Sequence, residues 1–250
     1  MSDVNNLRVV LVATRNPLNI GAAARAMSNF GVLRLRLVNP YDAAFREARS
    51  AVGASELLAK AELYDDVGPA VADCRLVVGT TAGAKRDLQQ RLLRLETGAR
   101  AIKKQLKTGP VALLFGSERY GLSNEELSHC HWVMRIPTRE EHGSMNLGQA
   151  VAVSLFELVR AGGAATTSPT AAETKERAPA TSGDVERVTG SLFEVLDASG
   201  YVKPRAAAVT KENLRRMIRR MKLNVDDTDM WLGMLRQMAW KLGVPEKNKK

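Results

Sequence analysis

The sequence has few of the residues that build metal centres, disulfides and membrane spans. Its 250 residues include three histidines and two cysteines, Cys74 and Cys130. The cysteines do not have the spacing of a zinc site or a redox pair, so we expect reduced thiols and no metal. No apolar run approaches the roughly 18 residues that a membrane span needs, and the N-terminus lacks a signal-peptide pattern. We therefore expect a soluble protein of the cytoplasm, without a membrane partner.

Two common nucleotide-binding motifs and a balance of charge are also missing. There is no Walker A sequence, and no G-x-G-x-x-G turn follows the first predicted strand, which argues against an ATPase and an ordinary dinucleotide-binding domain. Acidic residues are outnumbered, because 37 Lys and Arg against 27 Asp and Glu give a formal net charge of +10. Such an excess favours a polyanionic partner, although a basic, well-solvated surface explains it equally well.

Short β-rich runs alternate with helical patterns over roughly the first two thirds of the chain. The predicted strands are residues 7–13, 33–38, 75–79, 111–115 and 131–136. The predicted helices are residues 18–30, 43–58, 97–106 and 146–160, with a short helix that starts at a capping box of Ser123 and Glu126. Apolar strands alternating with helices predict an α/β fold, a parallel sheet with helices on both faces. Ligands bind such sheets beyond the carboxyl ends of the strands.

Three polar, glycine-containing segments lie at these strand ends and helix starts. They are residues 19–25 (NIGAAAR), 115–122 (FGSERYGL) and 143–150 (GSMNLGQA). Taken singly, each is explained by a helix cap or a turn. Taken together, they predict one pocket in which the backbone approaches a ligand closely and a few polar groups point at it.

The composition changes after about residue 161. Residues 162–184 are rich in Ala, Thr, Ser and Pro and predict a flexible linker between a domain at 1–161 and a helical extension at 185–250. The helices of the extension are predicted at 185–196, from 210 onward, and at 229–242. The second carries paired arginines whose spacing predicts one basic face, either solvated or RNA-binding: Arg215, Arg216, Arg219 and Arg220.

The three segments, in this order, resemble the motifs of the SPOUT class of RNA methyltransferases, and within it of the TrmH/SpoU family of ribose 2′-O-methyltransferases. The similarity covers roughly residues 7–160. The sequences at 37–40 (LVNP) and 77–82 (VVGTTA), with the helical extension, look most like the TrmJ subfamily, which methylates tRNA at cytidine or uridine 32. The resemblance implies a trefoil knot at about residues 75–160, an S-adenosylmethionine pocket and a homodimer formed through the knotted domain. General topology rules alone would have excluded the knot.

The resemblance also implies roles for individual residues. Arg25 would be the central catalytic residue, with Asn19, Ser144 and Asn146 hydrogen-bonded around it and Glu118 orienting its neighbours. The cofactor would be lined, largely by backbone groups, by Thr80, Thr81, Ala82, Gly116, Ile136, Gly143, Ser144 and Met145. The tRNA would contact Arg25, Arg86 and the four arginines of the extension.

The chemistry of a guanidinium restricts what Arg25 can do. Its pKa above about 12 makes it a poor proton acceptor, so we interpret Arg25 as an electrostatic stabiliser that holds the phosphate, rather than as the general base. The three motifs do not select the RNA, so ribosomal RNA is an alternative substrate. A non-catalytic RNA-binding assembly factor on the same fold is a second alternative, which the intact polar residues of the motifs disfavour.

Overall fold

The structure, a computed structural model, describes residues 2–41, 55–82, 88–139, 143–160 and 178–244. The chain divides into two compact units, Met1–Glu173 and Thr174–Lys250. No helix in these described ranges is long and apolar enough to cross a membrane.

The first unit is built on a seven-stranded sheet in which every pair of neighbouring strands is parallel. The strands are β1 (Leu7–Val12), β2 (Leu35–Val38), β3 (Glu62–Tyr64), β4 (Leu76–Thr80), β5 (Leu92–Arg94), β6 (Val111–Phe115) and β7 (Trp132–Arg135), in the order β3-β2-β1-β6-β4-β7-β5. The five predicted strands are confirmed to within about two residues. The sequence did not predict β3 and β5, because each is a three-residue edge strand without an apolar run.

Six helices of this unit lie within the described ranges. They are α1 (Pro17–Asn29), α2 (Ser55–Ala59), α3 (Val67–Ala70), α4 (Leu95–Leu106), α5 (Asn124–Ser128) and α6 (Leu147–Val159), and a 3-10 turn at Ser2–Asn6 precedes β1. Most of the predicted helix 43–58 lies outside the described residues. The capping box of Ser123 and Glu126 at the start of α5 is confirmed.

Alternate residues of the central strands pack into two separate cores. Leu7, Val9 and Leu11 of β1 belong to a core that also contains buried residues of α1, α4 and α6. Val10 and Val12 point the other way, into a core with buried residues of α3 and α5. This alternation follows from the two-residue period of a strand. The prediction of a parallel sheet with helices on both faces is therefore confirmed.

A cluster of charged residues with two buried arginines lies at the amino end of the sheet. Arg36 of β2 is 6% exposed, and its guanidinium donates to the Asp73 carboxylate and to the Ala70 carbonyl. Arg8 of β1 pairs with the same carboxylate at 3.3 Å. Burial alone would raise the Asp73 pKa, but hydrogen bonds from Arg36 and its charge outweigh burial, so the pKa lies below its ordinary value. Desolvation, helped by the Asp73 charge, raises the pKa of the Cys74 thiol to about 12, which makes Cys74 an inert core residue.

The second unit is a small helical bundle. Its helices are α7 (Ser182–Ala198), α8 (Ala207–Arg220) and α9 (Val225–Lys241), with a 3-10 turn at Pro204–Ala206. They share a core that includes Val185, Val188, Val195, Ile218 and Leu235.

Capping residues set the starts of α7 and α9 earlier than the sequence analysis placed them. Thr181 and Asp184 form a capping box, so α7 begins at Ser182, inside the predicted linker. Asn224 and Asp227 form another, so α9 begins at Val225 and has Asp226 and Asp227 in its first turn.

Candidate active site

A cavity of about 610 Å³ opens at the carboxyl ends of β4, β6 and β7, which are neighbours in the sheet. This is the edge where open α/β sheets bind ligands, and the volume lies within the usual range for small-molecule sites. The lining includes every residue that the sequence analysis assigned to the cofactor, namely Thr80, Thr81, Ala82, Gly116, Ile136, Gly143, Ser144 and Met145.

Hydrogen bonds between neighbouring strands hold the floor of the cavity. The Thr80 hydroxyl donates to the Leu114 carbonyl at 2.9 Å, and the Thr81 N–H donates to the Met134 carbonyl at 3.0 Å. These bonds fix Thr80 and Thr81, at the end of β4, to the neighbouring strands β6 and β7. The Thr138 hydroxyl donates to the Gly143 carbonyl at 3.1 Å and holds the opposite wall together.

Gly116 leaves room for the turn that follows β6. A Cβ at position 116 would lie 2.1 Å from the backbone carbon of Gly121, closer than any real contact. Gly121 itself has a φ of +66°, in the left-handed region that glycine adopts most readily. Both glycines of this motif are therefore required by the backbone, in agreement with the close approach predicted from the sequence.

Three polar side chains from three different segments form a hydrogen-bonded chain beside the cavity. The Asn19 Nδ2 donates to Glu118 Oε1 at 2.9 Å, and the Asn146 Nδ2 donates to Asn19 Oδ1 at 2.8 Å. Since a carboxylate can only accept, Glu118 fixes which way the Asn19 amide faces, and this in turn orients Asn146. Asn19 is 8% exposed, so the chain is anchored in the protein.

Of the two asparagines in this chain of hydrogen bonds, Asn146 also caps a helix and Asn19 does not. Asn146 caps α6, because its Oδ1 accepts from the N–H of Gly148 at 2.9 Å. At the start of α1 the cap is Asn16, whose Oδ1 accepts from the N–H of Leu18, while Asn19 lies inside the helix. Asn19 therefore has no capping role to perform and is available to join Glu118 and Asn146.

The chain resembles known proteins over the same region. The SpoU rRNA Methylase family matches residues 6–156, which contain the sheet, the cavity and all three motifs. The chain belongs to the SpoU methylase family. It is 35% identical over 234 residues to the tRNA (cytidine/uridine-2′-O-)-methyltransferase TrmJ of Cronobacter sakazakii, an alignment that covers 93% of this chain and 95% of the relative.

Solved structures agree with this assignment. The crystal structure of TrmJ from Z. mobilis ZM4 superimposes with a TM-score of 0.79 at 31% identity, covering 92% of this chain and 98% of that one. A probable methylase family protein from Haemophilus influenzae matches with a TM-score of 0.58 at 27% identity, over 97% of this chain and all of that one. The similarity to these structures therefore extends over both units, although the trefoil knot stays a prediction.

Arg25 lies outside the cavity of its own chain. It follows Asn19 by six residues on α1, which rotates it about 240° around the helix axis. Asn19 faces the sheet and Arg25 is exposed on the outer face. In this chain the Asn19 and Asn146 amides bond to each other and to Glu118, and their predicted hydrogen bonds to Arg25 stay a prediction. Ser144 lines the cavity and is exposed.

The arginines of the extension do not form the single exposed face that their spacing predicted. Arg215 and Arg219 are each 5% exposed. Arg215 holds Glu186 of α7 through two hydrogen bonds of 2.7 and 2.9 Å, and Arg219 donates to the Ser182 hydroxyl. These two residues join α8 to α7.

The remaining predicted RNA contacts are differently placed. Arg216 pairs with Glu212 on its own helix, and Arg220 is exposed. Arg86 lies outside the described residues.

The cavity also contains polar residues that the sequence analysis did not select. Arg119 and Tyr120 line it from the turn after β6, and Thr138 lines it from the loop after β7. Arg119 and Tyr120 lie inside the FGSERYGL segment, so their place in a turn directly after a central strand is the signal that could have found them. Among the described residues, no group of three or more His, Cys, Asp or Glu side chains is arranged to hold a metal ion.

Proposed function

We propose that this SpoU-family chain methylates a ribose 2′-hydroxyl in tRNA, with S-adenosylmethionine as the methyl donor. The observation that carries the proposal is the convergence of all three motif segments on one cavity. The relatives that align with more than nine tenths of the chain include proteins named as tRNA (cytidine/uridine-2′-O-)-methyltransferases, which supports tRNA as the substrate. We assign the target to cytidine or uridine 32 of the anticodon loop, in the cytoplasm.

The lining of the cavity fits this cofactor. Gly116 and Gly143 bring backbone groups to its wall, and Ile136 and Met145 offer apolar surface for an adenine ring. When bound, S-adenosylmethionine supplies an electrophilic methyl group on sulfur. The protein therefore needs to hold the cofactor and align the acceptor hydroxyl, rather than to create a strong electrophile.

The chain of Glu118, Asn19 and Asn146 is suited to that alignment. Its two hydrogen bonds link the turn after β6, helix α1 and the start of α6. Orientation of this kind contributes strongly to rate, because a displacement of about 1 Å can cost about 100-fold.

Arg25 acts across a homodimer in this proposal. It lies on the same exposed face of α1 as Leu18, seven residues earlier, which is 77% exposed. Helix α6 exposes Val153, Phe156 and Val159 by 36, 54 and 43%. Apolar surface of this extent favours burial against a second copy, which would place Arg25 at the interface, where it can stabilise the reacting ribose and its phosphate in the partner's cavity.

Binding of the tRNA draws on the excess of positive charge. The net charge of +10, the exposed Arg25 of the first unit and the exposed Arg220 of the second support phosphate contacts on each unit, and Arg86 is a further proposed contact. Such binding weakens steeply with salt, because each neutralised phosphate releases counterions.

Mapping of ribose methylation in the tRNA and ribosomal RNA of the host, before and after deletion of this gene, tests the proposal. We expect loss of methylation only at position 32 of tRNAs, and its return with the wild-type gene. Loss confined to ribosomal RNA would show that the substrate is wrong, and an unchanged pattern in both RNAs would contradict the proposal.

A further inference from the structure

The turn after β6 holds its side chains in a defined direction at the mouth of the cavity. Ser117 and Gly121 pair as a short antiparallel bridge, and the Gly121 N–H donates to the Ser117 carbonyl at 2.8 Å. The Tyr120 N–H donates to the Ser117 hydroxyl at 3.3 Å. Glu118 ties the same turn to α1 through Asn19. The side chain of Tyr120 therefore starts from a rigid backbone.

Tyr120 presents an aromatic ring beside the cavity. Tyr120 is 68% exposed and lines the cavity. The guanidinium carbon of Arg119 lies 5.1 Å from the centroid of the Tyr120 ring. Exposed tyrosines occur elsewhere without such a setting. Tyr41 is 59% exposed and is not part of the lining, which makes it the structural comparison for a tyrosine that is only solvated.

In a single-stranded loop, a nucleotide can leave its stack and bring its 2′-hydroxyl into a protein cavity. Proteins hold such splayed bases by stacking them on aromatic rings and on arginine planes. Stacking uses the face of the base and not its hydrogen-bonding edge, so it accepts different bases on the same ring. The guanidinium beside the ring adds a positive charge for the adjacent phosphate.

We infer that Tyr120, supported by Arg119, is the platform on which the base of the methylated nucleotide stacks. This inference rests on the proposed function and assigns a substrate-positioning role to a residue outside the polar chain of the site. The platform accepts cytosine and uracil alike, because both pyrimidine rings offer the same kind of face.

Steady-state kinetics of the wild type and four variants test this role. We expect Tyr120→Ala and Tyr120→Leu to lower kcat/KM for tRNA by about 5- to 150-fold, mainly through KM, because both lose the ring. Tyr120→Phe keeps the ring and stays within about twofold of the wild type. Tyr41→Ala is the matched control and leaves kcat/KM unchanged. All variants fold, since each changes a mostly exposed side chain.

A fluorescent base reports on stacking directly. At saturating protein, an anticodon stem-loop with pyrrolo-cytosine at the target position should fluoresce less when bound to the wild type, Tyr120→Phe or Tyr41→Ala than when bound to Tyr120→Ala or Tyr120→Leu. Only the first three proteins stack the base on an aromatic ring at position 120, and stacking quenches the probe. A purely structural role of Tyr120 would not produce this difference.

Two outcomes would overturn the inference while the proposed function stands. In the first, the wild type methylates tRNA and Tyr120→Ala does so with unchanged kcat/KM. In the second, calorimetric titration shows that Tyr120→Ala weakens S-adenosylmethionine binding tenfold or more while the stem-loop still quenches, which would make Tyr120 a cofactor contact. A wild type that transfers no methyl group to tRNA would instead overturn the proposed function.

Discussion

Replacing Asn19 by aspartate converts the polar chain of the site into a pH-sensitive pair. The amide and the carboxylate have nearly the same shape, so the substitution changes charge and protonation rather than packing. In the wild type, Asn19 Nδ2 lies 2.9 Å from Glu118 Oε1. In the Asn19→Asp variant a carboxylate oxygen takes the place of this nitrogen. Two carboxylates at this distance cannot both be ionised, so the pair must share a proton. The hydrogen bond donated by Asn146 is kept, because the variant retains the oxygen that accepts it.

The size of the effect follows from the pKa values of the unfolded chain. Asp and Glu titrate near pH 4 when unperturbed, and holding one proton above that pH costs about 1.4 kcal/mol per pH unit. At pH 7 the upper limit is therefore about 4 kcal/mol. Because Glu118 is exposed, solvent screening reduces the expected loss to about 2 kcal/mol. The folded-state pKa of the variant's pair is raised, so the loss grows as the pH rises above about 4 and vanishes below it.

Urea unfolding followed by far-UV circular dichroism at pH 5 and pH 8 measures this loss. We expect Asn19→Asp to be about 1 kcal/mol less stable than the wild type at pH 5, one unit above the unfolded pKa, and about 2 kcal/mol less stable at pH 8. Asn29→Asp is the control, since Asn29 is exposed at the end of the same helix and its effect should not depend on pH in this range. An equal loss for Asn19→Asp at both pH values would refute the contact with Glu118.

Three further substitutions test other parts of the structure. Gly116→Ala should weaken S-adenosylmethionine binding by more than about tenfold in calorimetric titration, because there is no space for a Cβ atom at position 116. The control Gly190→Ala should bind the cofactor normally, because the space around position 190 is open. Asp73→Asn should lower the free energy of unfolding by about 1–3 kcal/mol at pH 7. The difference should shrink as the pH falls below about 4, where the unfolded carboxyl takes up a proton, and vanish below the depressed pKa of the folded Asp73; urea unfolding at pH 7 and in acid measures this. Arg215→Ala should destabilise the second unit by about 2–4 kcal/mol in thermal unfolding, whereas Arg220→Ala should leave stability unchanged and weaken tRNA binding in a filter assay. Equal behaviour within any of these comparisons would contradict the role assigned to the first residue.

The sheet and the cavity lining could be predicted because their signals are local. The central strands are mostly apolar and end near a glycine, threonine or proline, and parallel strands bring their carboxyl ends together. The pattern of the three polar segments therefore predicted one pocket, and the resemblance to the SpoU family supplied the lining residues after β4 and β7. The edge strands β3 and β5 have no such signal, because they are short and only partly buried.

The positions of the arginines depend on distant partners and could not be predicted. The i, i+4 spacing of Arg215 and Arg219 places them on one face of α8, but it does not say whether that face meets solvent or another helix. Glu186, which lies 29 residues before Arg215, decides that this face is buried. Arg25 presents the converse case, because the motif places it near Asn19 in sequence while the turn of the helix points it away.

Methyl transfer by the purified full-length chain tests the central claim most directly. The protein is incubated with unmodified tRNA and S-adenosylmethionine carrying a labelled methyl group, and the RNA is digested and analysed by mass spectrometry. We predict labelled 2′-O-methylcytidine or 2′-O-methyluridine, at the first position of the anticodon loop. Label found only on a base, or no label in tRNA under conditions in which the protein binds both partners, would contradict the account.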